Sequence, residues 1–163
     1  MPDINPKGVG DNFYPRYNVV TTEPCSASLA VKKGRLYTED ASGHLVAPTT
    51  ALEIFKHGIY QATRDFTAGS TAGSDSVQCF GPGSRVCLKA TAAGVERGAK
   101  VRLNGITGDN LSQVKVWDQD GASLAKIDLH TLIGRVYKIY SKTDITVEKD
   151  LTAAGDLVIV VLE

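Results

Sequence analysis

Apolar residues in this chain come in short runs, and most of the runs alternate with polar or small residues. Residues 18–22 are mostly β-branched, and Leu29 and Val31 alternate with small neighbours. Residues 35–38 and 44–47 flank an acidic turn at 39–43 and are predicted to pair as a hairpin. Residues 76–80 and 85–90 flank Gly81-Pro82-Gly83-Ser84 and form the clearest hairpin in the pattern, with Val86, Leu88 and Ala90 on one face. Cys87 makes the opposite face less polar than a solvated one, so that strand is expected to be covered on both sides. Residues 113–117 and 135–140 read as further strands. The apolar run 157–162 is expected at the centre of its sheet.

Other segments add detail. Residues 54–61 are apolar but broken by Gly58, as in a strand with a bulge or a close neighbour. Asn104-Gly105 is the strongest two-residue hairpin signal in the chain. In residues 122–132, Leu124, Ile127 and Leu132 have helical spacing, so the one short helix is expected there. Residues 67–75 are small and polar, the composition of a mobile surface loop. Val31-Lys32-Lys33-Gly34 before Tyr37 is echoed by Val95-Glu96-Arg97-Gly98 before Val101, which suggests similar corners in a barrel or sandwich. The pattern predicts an all-β fold, a small β-barrel or β-sandwich with at most one short helix.

Residues 1–17 differ from the rest. Pro2, Pro6 and Pro15 exclude a helix, and no alternation marks a strand. Phe13, Tyr14 and Tyr17 nevertheless cluster at the end of the segment, where a solvated tail has few aromatics. The chain therefore divides into an extended N-terminal arm, 1–17, and a β domain, 18–163. The arm either lies on another surface, which makes Phe13, Tyr14 and Tyr17 the candidate interface, or tucks over its own domain.

Composition narrows the function. The 163 residues carry 18 basic and 18 acidic side chains, and a protein that neutralises many phosphates usually has a basic excess, so direct nucleic-acid binding is not expected. No apolar stretch is long enough for a membrane helix, and the first residues are too polar for a secretory signal, which points to assembly in a cytoplasm. Cys25, Cys79 and Cys87 are too few and too irregular for a zinc site or a disulfide framework. Cys79 and Cys87 flank the 81–84 turn; they are read as small apolar groups under a sheet, with a cross-hairpin disulfide as the alternative. His44, His57 and His130 stand alone. Asp118-Gln119-Asp120-Gly121 fails as a calcium loop at both ends and reads as a turn. Neither a nucleophile elbow nor a phosphate loop occurs, so no catalytic, metal-binding or cofactor-binding residue is assigned and the chain is not expected to be an enzyme.

One resemblance has a functional consequence. The strand Gly58-Ile59-Tyr60 is followed by VQCFGPGSRVCL at 77–88 and the turn Val95-Glu96-Arg97-Gly98. Ile133-Gly134-Arg135-Val136 and the apolar strand that starts at Gly155 complete the order. This succession resembles the capsid decoration, or cement, proteins of tailed bacteriophages. It departs from them at Ala99, where aspartate is usual, at Val136, which replaces a small residue, and in the longer stretch 141–150. The resemblance implies a virion protein on the capsid exterior that binds the major capsid protein, commonly forms homotrimers and stabilises the shell by bridging capsid subunits. A tail or baseplate accessory protein is the alternative. A carbohydrate-binding module would need a row of exposed aromatics, and Trp117 has no evident partner.

Overall fold

The echoed stretches form the same turn. The Arg35 amide donates to the Lys32 carbonyl (3.2 Å) and the Ala99 amide to the Glu96 carbonyl (3.2 Å). Gly34 and Gly98 occupy the third position of each turn with φ of 85° and 84°, a left-handed geometry that glycine adopts without a Cβ penalty. Each turn launches a four-residue strand.

In the computed structural model, which describes residues 8–117 and 130–163, the chain is mainly β. The strands are β1 (Val20–Pro24), β2 (Ala30–Val31), β3 (Leu36–Glu39), β4 (Leu45–Val46), β5 (Tyr60–Ala62), β6 (Phe66–Thr67), β7 (Ser76–Phe80), β8 (Arg85–Ala90), β9 (Lys100–Leu103), β10 (Gln113–Val116), β11 (Leu132–Tyr140), β12 (Glu148–Lys149) and β13 (Leu157–Leu162). Helix α1 spans Ala51–His57, and a 3₁₀ turn spans Gly108–Ser112.

The strands close into two rings. In the first, β1, β7, β5, β3 and β4 are neighbours in that order, and a parallel bridge from Cys25 to Leu45 returns β4 to the end of β1. In the second, β8, β13, β11, β9 and β10 follow the same order. A parallel pairing of β10 with β8 closes this ring, and β12 is added beside β11. The two rings match in register. Val20 to Pro24 pair with Phe80 to Ser76 as Arg85 to Lys89 pair with Val161 to Leu157. Leu36 and Tyr37 face Gln61 and Tyr60 as Lys100 and Val101 face Arg135 and Gly134.

Turn hydrogen bonds repeat as well. Gly34 donates to the Ala62 carbonyl (2.8 Å) and Gly98 to that of Val136 (2.9 Å), with Ala62 and Val136 donating back to Arg35 and Ala99. Cys25 donates to Asp75 and receives from Gly73, as Ala90 donates to Asp156 and receives from Gly155. The fold is thus one five-stranded barrel built twice in tandem. The echo in the sequence marks the turn that the two halves share.

Matching inward positions fill the two interiors. Cys25, Val31, Tyr37, Leu45, Ala62, Val77 and Cys79 are buried in the first barrel. Their counterparts in the second are Ala90, Val95, Val101, Val114, Val136, Val158 and Val160. The halves are fused through a common core, because Leu36, Ile54, Ile59 and Phe80 pack with the second barrel's interior. Gln61, fully buried, spans the same seam: its Nε2 donates to the carbonyls of Gly34 (3.1 Å) and Cys87 (2.8 Å).

The structure bears out the alternating strands, the 36–39 with 45–46 hairpin and the central position of β13. Three expectations change, and one open alternative is decided. Residues 51–57 form helix α1 rather than the start of a strand. Glu53 reaches back to the amides of Thr49 (2.6 Å) and Thr50 (3.3 Å), and Gly58 caps the far end with φ 77°. Those backbone bonds outweigh the strand-like composition. Residues 76–80 and 85–90 are not a hairpin, since β7 belongs to the first barrel and β8 to the second, and residues 81–84 are the crossover between them. Asn104-Gly105 does not make a two-residue turn: β9 and β10 do pair, but residues 104–112, including the 3₁₀ turn, connect them. Of the two readings left open for the N-terminal segment, residues 8–17 take the second and tuck over their own barrel. The short helix expected at 122–132 and the turn at 118–121 lie mostly or wholly outside the described residues.

Candidate functional site

The three aromatics of the N-terminal segment separate in the fold. Phe13 and Tyr14 are buried, at 1% and 3% exposure, whereas Tyr17 is 55% exposed. Phe13 stacks on Tyr140 (ring centroids 5.6 Å apart), and Tyr14 meets Tyr137 edge-on at 5.3 Å. The hydroxyls of Tyr14 and Tyr140 share a hydrogen bond of 2.7 Å. Burial, followed by that bond and the neighbouring Tyr140, pushes the Tyr14 hydroxyl well above the ordinary phenol range. With Cys87, Leu157 and Ile159 these rings form a third apolar cluster on the outer face of β8 and β13. This is the cover that the apolar second face of β8 called for. The same face of the first barrel carries Thr22, Ser76 and Gln78 and stands in water.

Tyr17 begins an exposed apolar run that continues with Val19 and Val20, at 50% and 48% exposure. The run is firmly held. The Arg85 guanidinium lies 4.0 Å from the Tyr17 ring centroid and 4.2 Å from that of Tyr137, so one cation bridges two rings. The Arg85 amide donates to Asn18 Oδ1 (2.7 Å), and Asn18 Nδ2 donates to Asn12 Oδ1 (2.7 Å). The Val19 amide donates to Ser84 Oγ (2.9 Å), while the Gly81 amide donates to the Val19 carbonyl (2.8 Å). An apolar patch fixed on both sides keeps its shape in water, which lowers the ordering cost of binding a partner. Tyr17 was legible as an aromatic; Val19 and Val20 carried no signal, because they read as ordinary strand residues.

The remaining candidates are dispersed. His44 Nδ1 lies 3.8 Å from Asp40, His57 ends α1, and the His130 ring is 5.2 Å from Phe55. Cys25, Cys79 and Cys87 are free and buried, with Cys87 in a different apolar cluster from the other two, so Cys79 and Cys87 do not face each other across a turn. Burial, with the charge of Glu23 adding to it, pushes the Cys79 thiol up to about 12. Among the described residues, no group of three or more His, Cys, Asp or Glu is arranged to hold a metal ion, and no helix is long and apolar enough to cross a membrane. An open groove of about 1020 Å³ runs past Lys89, Asn104, Gln113 and Lys142 at one end of the second barrel.

One further cluster was not foreseen. The Glu39 carboxyl on β3 has Glu23 of β1 and Tyr60 of β5 as neighbours at the first barrel and is pushed up to about 7, first by Glu23 and then by burial. Comparison with protein-family models, curated proteins and solved structures returns no match for this chain.

Proposed function

We propose that this protein is a capsid decoration protein that docks on the major capsid protein at the outer surface of a phage shell and bridges its subunits. The observation that carries the docking surface is the run Tyr17, Val19 and Val20, apolar, exposed and held by Arg85 and Ser84. The motif order of the decoration family supports the reading, since the Gly98 and Gly155 corners both precede barrel strands here. A duplicated barrel with one fused core is a stiff body suited to bridging, and weak contacts repeated over a lattice add up to avidity. Homotrimers at three-fold positions belong to the same proposal, with the shell as the place of action.

The test uses undecorated capsids and the full chain. A Tyr17→Ala/Val20→Ser variant removes only exposed side chains, so it is expected to fold. Its affinity for capsids should fall about tenfold or more, because truncating a central apolar anchor costs more than ~1.4 kcal/mol. Unchanged occupancy would remove this surface from the proposal. A particle map that places the chain only in the tail, or nowhere in the virion, would overturn the function itself.

A further inference from the structure

The second barrel carries a basic groove where the first has a filled corner. Gly73 donates to the Cys25 carbonyl (2.8 Å) and Gly155 to that of Ala90 (2.9 Å), so the two glycines are counterparts. A Cβ on Gly73 would lie 3.0 Å from His44 Nε2, and His44 Nδ1 lies 3.8 Å from Asp40. That corner is occupied by an imidazole beside an acid. In the second barrel the shared register puts Gln113 in the place of His44 and Lys89 in that of Pro24. Two lysine side chains converge on Gly155 instead. A Cβ there would lie 3.0 Å from Lys142 Cδ, 3.7 Å from Lys142 Nζ and 3.8 Å from Lys89 Cε.

Among the described residues neither lysine forms an ion pair, and none of those lining the groove carries a carboxylate. The acids next in sequence are engaged elsewhere. Asp156 is buried and bonds to Lys149 and to the amides of Lys142 and Ala153. Asp144 accepts from the amide and hydroxyl of Thr146. Lys142 Nζ donates to the Ala154 carbonyl (2.9 Å), a neutral acceptor that leaves its charge uncompensated. Two like charges that meet over one point attract an anion between them. We propose that this groove binds an acidic peptide segment of a partner, with one carboxylate seated between the Lys89 and Lys142 ammonium groups. The groove, at about 1020 Å³, holds far more than a single ion. Gln113 Oε1 accepts from Asn104 Nδ2 (3.4 Å), which leaves the Gln113 amide group to donate to a peptide carbonyl. Val9 and Leu157 add apolar wall for a neighbouring side chain. Two lysines neutralise few phosphates, so a nucleic acid is a poorer match. The groove shares no residue with the Tyr17, Val19 and Val20 patch and does not depend on what that patch meets.

The test titrates hexaglutamate into the full chain at low salt and follows the backbone amides by NMR. The amides of Lys142, Gly155 and Gln113 should shift and saturate, and raising the salt to about 0.5 M should weaken binding about tenfold or more. Lys89→Gln/Lys142→Gln alters two exposed side chains, so it is expected to fold. Its affinity for the peptide should fall about tenfold or more, the loss expected for charge-assisted bonds. Lys56→Gln, which removes an exposed charge from α1 in the first half, should bind as the native chain does. If the double variant fails to fold, Lys89→Gln alone is used, since no bond to the fold is lost with that ammonium. Shifts that do not saturate, that fall outside the groove, or that respond equally to Lys56→Gln overturn the proposal. Inorganic phosphate that moves the same amides with equal affinity would make the groove a simple anion site and overturn the peptide reading.

Discussion

At the scale of residues, small differences in surroundings set the cost of a substitution. A Cβ on Gly134 would lie 1.9 Å from the Val161 carbonyl oxygen, where β11 and β13 run side by side. Backbone cannot retreat there without breaking the ladder, so Gly134→Ala should cost more than ~3 kcal/mol, read from urea unfolding. Gly98 needs its positive φ, yet a Cβ there meets nothing within 4 Å. Gly98→Ala should therefore cost only about 1–2 kcal/mol, the strain of a left-handed alanine. The thiols give a second test. Buried and raised in pKa, Cys25, Cys79 and Cys87 should stay unlabelled by a thiol reagent in the native protein at mildly alkaline pH and all react in denaturant. Rapid native labelling of any of them would contradict the burial.

Among elements, the N-terminal segment behaves as part of the barrel wall. Phe13 and Tyr14 cover Cys87 and Ile159, and Gly10 donates to the Cys87 carbonyl at 3.3 Å. Phe13→Ala should destabilise the protein by about 3–5 kcal/mol, the range for a buried phenylalanine. Tyr14→Phe, which removes only the hydroxyl bonded to Tyr140, should cost about 1 kcal/mol. Calorimetry checks both. A deletion of residues 1–17 would lower stability along with docking, so point changes at Tyr17 separate the two effects better. Helix α1 teaches a related lesson. Thr50 followed three residues later by Glu53 is a capping signature present in the sequence, which the strand reading of residues 54–61 did not take into account.

For the whole molecule, the fused core predicts a single unfolding transition. Trp117 follows β10 in the second barrel, and Tyr37 and Tyr60 lie in the first. Trp fluorescence and aromatic circular dichroism should lose their native signals at the same urea concentration, while two separated transitions would mean that the barrels fold independently. Stability should also peak in mild acid. Asp156 is 1% exposed; burial works against its charge, but Lys149 and the amides of Ala153 and Lys142 outweigh it and hold the carboxyl below the ordinary range. That contribution is present above the unfolded value of 3.8 and is lost as pH falls below it. Glu39, pushed up to about 7 first by its neighbour Glu23 and then by burial, acts with the opposite sign and weakens the fold as pH rises through that value. Thermal melts across this range should show the maximum between the two, and Asp156→Asn should flatten the acid side.

The amino-acid sequence by itself determined the all-β class, most strand positions and the glycine corners. These depend on local rules: period-two alternation and the left-handed φ that only glycine adopts freely. Even the likeness of the two halves was visible at Val31 to Tyr37 and Val95 to Val101, because a turn constrains neighbouring residues. Tertiary structure decided which strands are partners. Whether β7 pairs with β8 or with β1 depends on closing a ring across distant residues, and no window of sequence contains that closure. It also decided that Phe13 and Tyr14 face inward while Tyr17 faces out, since burial depends on what lies opposite. The same holds for Glu23 and Glu39, two unremarkable acids in the chain that only the folding of the first barrel makes neighbours.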